Sequence, residues 1–339
     1  VGVGTFEEIV DCRLPIADLQ TVAEAQSKIE NPKSKIHFVV RQFFMRHPGE
    51  EGALLMALVD LLDQYGMSVT FNGRTFDLPL LRTRLRQNQQ MYPELRGSGR
   101  LLQPERPHLD LLHPARRLWK RRLQSCRLIN LEAEILGMQR SEEDVPGQLI
   151  PQLYTDYLQH GNASDMRRIF YHNREDIVSM VALATQLSQL YQGTATAGGT
   201  ELHGLDWFSL GRCYEDRNQL AEAERAYRAA LDRLHGNTAQ ADAYRQLGQL
   251  LKRQDRWTEA ATLWQEWIST VAAIDTTPYE ELAKYCEWQC KDFEQATMWT
   301  GWALHTLRKA PAWQQSSAHI ADLEHRLTRL QRKQAAGDK

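Results

Sequence analysis

Two short runs in this sequence bring together carboxylates and the partners that metal-assisted or general-base chemistry uses. The first is Thr70-Phe71-Asn72-Gly73-Arg74-Thr75-Phe76-Asp77-Leu78-Pro79-Leu80, where an apolar run ends in Asn-Gly and a carboxylate opens the next apolar stretch. A carboxylate in that position lies close to a sheet edge, is held by a helix backbone and is available to a hard cation. The second is Tyr171-His172-Asn173-Arg174-Glu175-Asp176. His172 and Asp176 are four residues apart, hence one turn apart on one face of a helix. A general base or water-orienting group beside a metal-binding aspartate needs that arrangement. Each run also has a plainer reading. Asn-Gly between apolar runs is a hairpin signal, Asp77 alone could be a helix cap, and His172 with Asp176 could be an ordinary surface pair. Their joint occurrence, in this order, favours a site.

The elements that would position these residues alternate between strand and helix. Residues 1–10 and 36–44 are rich in β-branched and aromatic side chains and read as strands. Between residues 49 and 65, Leu54, Leu55, Leu58, Val59, Leu61 and Leu62 follow a helical period, with Glu50 and Glu51 suited to the helix N-terminus. The pattern predicts a short buried strand over 67–71, a helix over 76–86, a strand over 108–112 and helices over 115–124 and 129–136. A long final helix reaches about residue 191, capped by Asn162 or Ser164. This order implies an α/β sheet flanked by helices, and catalytic groups in such sheets gather at the carboxyl ends of strands.

The whole chain has 339 residues, 42% hydrophobic and 25% charged, too long for one ordinary core and too apolar for disorder. Mean hydropathy is -0.53. No apolar run approaches the ~18 residues of a membrane span, so no membrane partner is expected. The five cysteines are scattered and odd in number, which fits a reducing, cytoplasmic setting better than a disulfide framework. Cys286 and Cys290 read as buried structural thiols rather than a metal grip. The opening Val1-Gly2-Val3-Gly4 has no leader and reads as a cut inside a strand.

Eight of the nine tryptophans fall between Trp207 and Trp313, and the Gly-Thr-Ala stretch 193–200 reads as a linker. Beyond it the sequence repeats. Trp207, Leu210, Gly211, Tyr214, Ala223, Tyr227 and Ala230 are followed 37 residues later by Tyr244, Leu247, Gly248, Leu251, Ala260, Trp264 and Trp267. Such a period describes pairs of antiparallel helices, with small residues where the backbones approach and tryptophans mostly between the helices. A weaker third copy spans residues 282–307, with Phe293 and Ala296 at the positions of Trp257 and Ala260 and Lys284 in place of the glycine. The set resembles tetratricopeptide (TPR) repeats over about residues 201–312. That resemblance implies a surface for protein or peptide partners, and residues 313–339 would supply a capping helix and tail.

The first half carries a second resemblance. Asn72 followed by Phe76-Asp77 is similar to the second motif of the DEDD superfamily of ribonuclease H-like 3'-5' exonucleases, and His172 with Asp176 to the third. Together with His108-Leu109-Asp110-Leu111-Leu112, Leu131-Glu132, Asp144-Val145-Pro146-Gly147 and Ile150-Pro151, they resemble the YprB-type ribonuclease H-like domain over residues 1–192. The resemblance implies a phosphodiesterase in which carboxylates hold two Mg2+ or Mn2+ ions roughly 4 Å apart. It makes Asp77 and Asp176 metal ligands, has His172 orient or deprotonate water, and has Asn72 support the site. It also implies an aspartate and a glutamate one residue apart on an opening strand. No such pair precedes Val1 to Phe6, and Glu7, Glu8 and Asp11 lack the spacing, so weak metal binding is expected.

Residues 82–127 hold twelve basic side chains against three acids, although the net charge is only -2. Arg116, Arg117, Lys120 and Arg121, at helical spacing, form a stripe suited to phosphates of DNA or RNA. The expectation is a metal-dependent 3'-5' nuclease with a TPR module. The alternatives are a catalytically silent adaptor of the same fold and a nucleic-acid binder without cleavage. An upstream Asp-x-Glu would separate the first two.

Overall fold

The computed structural model describes residues 1–8, 36–141, 144–192, 202–235, 238–271, 274–313 and 315–337. The 193–200 linker expected from composition lies outside them, as do Cys12 and Asp11. The chain divides into two compact units, one of residues 1–116 with 125–192, the other of residues 117–124 with 193–339.

In the first unit, β1 (Gly2–Glu8) pairs antiparallel with β2 (Ile36–Gln42), Gly2 opposite Gln42. The long helix α6 (Met166–Tyr191) lies directly on this pair. Contact is close enough to require glycine: a Cβ at Gly2 would sit 2.1 Å from Asn173 Oδ1, and one at Gly4 2.3 Å from the Phe38 ring and 2.7 Å from Ile177. The Gly-Val-Gly opening of the sequence is thus explained by packing. Gln42 Nε2 fastens the same contact by donating to Phe170 O at 2.8 Å and Asn173 Oδ1 at 3.0 Å.

Helix α1 (Glu51–Leu62) buries Leu55, Leu58 and Val59, the i, i+3, i+4 face of an amphipathic helix. Leu55 and Val59 share a core with Leu78 and Leu85 of α2 (Asp77–Asn88) and with Leu95 and Leu102 of the connection that follows. Between these helices runs β3 (Ser68–Thr70), paired parallel with β4 (His108–Asp110), Thr70 opposite Asp110. The strand read as buried shows one face to solvent, since Met67, Val69 and Leu109 are exposed. Short apolar runs signal strand without saying which faces are covered. The described strands therefore form two separate pairs, one antiparallel and one parallel.

Helices α3 (Leu112–Trp119), α4 (Leu128–Leu131) and α5 (Ile150–His160) complete the set before α6, and α4 widens into a π-turn over Glu132–Leu136. The start of α6 differs from the expected cap. Asp165 occupies the N-cap without a side-chain bond, and Asn162 Oδ1 accepts the Ser164 N–H at 3.0 Å instead. Asn162 closes a local turn ahead of the helix.

The second unit is helical: α7 (Gly204–Asp216), α8 (Leu220–Leu231), α9 (Thr238–Arg253), α10 (Trp257–Thr270), α11 (Thr277–Tyr285), α12 (Phe293–Lys309) and α13 (Ser317–Gly337). Each packs on the next in chain order. Close approach again selects glycine: a Cβ at Gly211 would lie 2.7 Å from the Tyr227 ring, and one at Gly248 2.5 Å from Trp264 Nε1. Ala223, Ala260 and Ala296 are fully buried. The tryptophans expected mostly between the helices are divided: Trp264 and Trp267 are buried, while Trp288, Trp302 and Trp313 are exposed. Cys286 is buried but Cys290, at the end of the π-turn that follows α11, is exposed.

Candidate functional site

The parallel strand pair and the turn after β3 build one half of the candidate site. Asp110, buried at the end of β4, accepts the backbone N–H of Asn72 at 2.8 Å, of Leu112 at 3.1 Å and of Arg74 at 3.1 Å. One carboxylate thereby shapes the turn after β3. The turn needs special backbone: Asn72 has φ +65°, a left-handed conformation asparagine tolerates, and a Cβ at Gly73 would lie 2.5 Å from Thr70 Oγ1. The Asn72 amide oxygen accepts from Thr75 Oγ1 at 2.8 Å. The Asn-Gly pair therefore turns strand into helix and makes no hairpin.

Asp77 is the first residue of α2, with Phe76 at the N-cap, so it faces the positive end of the helix without capping it. It is solvent-exposed on one side. Surrounding protein raises its carboxyl above the ordinary aspartate value, its own N–H opposes the rise, and the nearby Asp110 charge adds to it. On β4, desolvation lowers the His108 imidazole, whose Nε2 lies 2.8 Å from Thr70 Oγ1.

The other half is centred on α6 and on the segment between the π-turn and α5. His172 Nδ1 lies 2.8 Å from Asp144 Oδ1, and its Nε2 3.5 Å from Asp176 Oδ2. The two ring nitrogens thus face different carboxylates, Nδ1 toward Asp144 and Nε2 toward Asp176. At the middle stands Arg140. Its guanidinium donates to Glu132 at 2.6 and 2.7 Å and to Asp176 at 2.5 Å, reaches Asp144 at 3.4 Å, and lies 3.0 Å from His172 Nδ1. Arg140 and Glu132 are almost wholly buried, Asp144 mostly so. Burial works against the Arg140 charge, but the bonds to Glu132 and Asp176 outweigh it and raise its pKa. The same segment is tied to α6 by Tyr171 Oη, which accepts the Ser141 N–H at 3.1 Å, and by Arg168, which donates to Asp144 O at 3.1 Å.

The sequence-derived residues thus fall into two groups. Asn72 and Asp77 gather around Asp110, and His172 and Asp176 around Arg140. Among the described residues, no three His, Cys, Asp or Glu side chains converge as metal ligands. Asp176 offers a hard oxygen donor set but is already answered by a guanidinium, so these residues as arranged do not fit a two-cation centre. Arg140 is the residue that sequence reasoning missed. Its only signal is that it is a lone cation in an acidic stretch that includes Glu132, Glu134, Glu142, Glu143 and Asp144.

The basic stripe is also divided. Arg117 pairs with Asp216 and donates to Cys213 Sγ at 3.2 Å, and Arg121 lies 3.3 Å from Asp242 and over the Phe208 ring at 4.7 Å. Arg116 and Lys120 are exposed.

Residues 29–188 match the RNase H superfamily. Over 261 residues the chain is 31% identical to the Bacillus subtilis (strain 168) protein YprB, an alignment that covers 76% of this chain and 59% of that protein. The chain spans about three fifths of the length of this relative. No described helix is long and apolar enough to cross a membrane. Residues 29–188 are accordingly RNase H-like, and a helical unit follows them.

Proposed function

We propose that the chain is a nuclease that removes nucleotides from the 3' end of single-stranded DNA or RNA, and that its helical unit is a TPR-type platform for a protein or peptide partner. The observation that carries the first part is the placement of Asp77. It opens α2 at the carboxyl end of β3, open to solvent and beside Asp110, as a phosphodiesterase acid of an RNase H-like domain should be. In this reading Asp77 and Asp176 would be the residues to hold magnesium or manganese, which would supply Lewis-acid chemistry, His172 would orient or deprotonate water, and Asn72 fixes the turn that presents Asp77. The described residues do not themselves form the cation centre. Arg116 and Lys120, with Arg117 and Arg121 in part, would meet phosphates. For the helical unit, chain-order packing and the Gly211 and Gly248 contacts support TPR-like hairpins. Five scattered cysteines, an odd number, support a cytoplasmic setting.

A second reading is favoured by Arg140. A guanidinium on Asp176 suits a catalytically silent adaptor of the same fold, or a nucleic-acid binder. The deciding assay incubates the chain with 3'- and 5'-labelled single-stranded DNA and RNA in Mg2+ and in Mn2+. Stepwise loss from the 3' end, abolished by Asp77→Asn, supports the nuclease; intact substrate with retained binding supports the second reading.

A further inference from the structure

We propose that Arg140 is a built-in counter-cation that competes with divalent metal for Asp176, so that this carboxylate is held in a low-affinity state for metal. The proposal deepens the nuclease reading by assigning a control on one of its acids. Three carboxylates, those of Glu132, Asp144 and Asp176, and the His172 imidazole surround the one guanidinium. Without it Asp176, with His172 Nε2 3.5 Å away, would offer a divalent ion a hard oxygen beside a ring nitrogen, although the four groups as arranged do not converge on one point. With it, one oxygen of Asp176 is engaged at 2.5 Å, and a fixed positive charge stands beside any approaching cation. Arg140 cannot lose its proton to relieve that repulsion. Its burial and its two bonds to the buried Glu132 fix it in place, whereas Asp176 is partly exposed and so is the member of the cluster that a solvent ion can reach.

The contacts also explain why a carboxylate-rich segment is stable: three acids this close repel one another unless a cation stands between them. Arg140 is therefore both the fastener of the 132–147 segment on α6 and a competitor for metal.

The test titrates Mn2+ into the whole chain, following the free ion by electron paramagnetic resonance, with no nucleic acid present. Arg140→Gln should bind Mn2+ at least tenfold more tightly than the unaltered chain, and Arg140→Lys, which keeps the charge, should not. Equal or weaker binding in a folded Arg140→Gln protein overturns the proposal. Should that variant fail to fold, Asp176→Asn decides. If Arg140 already answers Asp176, this change alters Mn2+ affinity of the otherwise unaltered chain by less than threefold, and a larger loss overturns the proposal. Nuclease activity is read separately, so a chain that cleaves nothing can still pass or fail this titration.

Discussion

Asp110 is answered by backbone rather than by a cation, and that distinguishes it from the acids around it. Three N–H groups converge on its carboxylate, so replacing it with asparagine, which has one acceptor oxygen and two unwanted donors, leaves a buried turn partly unsatisfied. We expect Asp110→Asn to lose about 2–3 kcal/mol in urea unfolding, the range of a bond to a charged group. A loss within error of zero would remove Asp110 as the organiser of the turn. Asp77 behaves oppositely. Its carboxyl is raised in the folded chain, first by burial among neighbours and then by Asp110. A raised acid holds its proton longer folded than unfolded, so its contribution is present below the unfolded pKa and lost as pH rises through the folded one. Asp77→Asn should therefore be at least as stable as the unaltered chain at neutral pH, and that advantage should shrink on acidification. Thermal melts of both proteins from pH 4 to 8 check this, and a gain over the unaltered chain that is smaller at pH 7 than at pH 4 refutes it. An acid kept where its charge is unfavourable is the kind of residue that function, rather than stability, retains.

At the scale of elements, glycine sets the contact between α6 and the β1–β2 pair. Gly4→Val should force Phe38 and Ile177 apart and cost about 1–3 kcal/mol, as overpacking does. Adding Ile177→Ala should recover part of the loss in the same unfolding measurement; full additivity would mean that the two positions do not meet. The Asn72-Gly73 turn was legible as a turn in the sequence, and the choice of helix over hairpin after it was not. Both outcomes need the same residue types, and what decides is Asp110, 38 residues beyond Asn72, pulling the Asn72 and Arg74 N–H groups toward β4. The cap of α6 was misread for a related reason: Asn162 had a nearer N–H to satisfy at Ser164.

At the scale of the molecule, residues 117–124 belong to the second compact unit although they lie within the sequence of the first. Their charges explain the assignment. Buried Asp206 on α7 is met by Arg122 at 3.0 Å, with Arg121 and Arg117 on Asp242 and Asp216. Burial raises the Asp206 carboxyl, and the Arg122 bond and charge oppose the rise. Arg122→Met should cost about 3–5 kcal/mol by leaving that carboxylate buried and unpaired, while Arg122→Met with Asp206→Leu should restore most of it. Measured by thermal unfolding, an equal loss in both variants would show that packing and not charge is responsible. A chain ended at residue 192 would strip these arginines of their carboxylates, so it should be less soluble than a contiguous domain boundary predicts.

By itself the sequence determined most of the elements, because helical and strand periods are local, although it passed over α5 and set α3 at 115–124 rather than Leu112–Trp119; it also singled out Asp77, His172 and Asp176, because i, i+4 spacing and a turn before a helix are written in neighbouring residues. It also named Gly211 and Gly248 as places of close approach, but not Gly2 and Gly4. Only the tertiary structure decided which charges meet. Asp176 is paired with Arg140, 36 residues away, and half of the basic stripe is spent on acids of the helical unit. Charge pairing depends on distances between segments remote in sequence, and a sequence pattern records the charges without those distances.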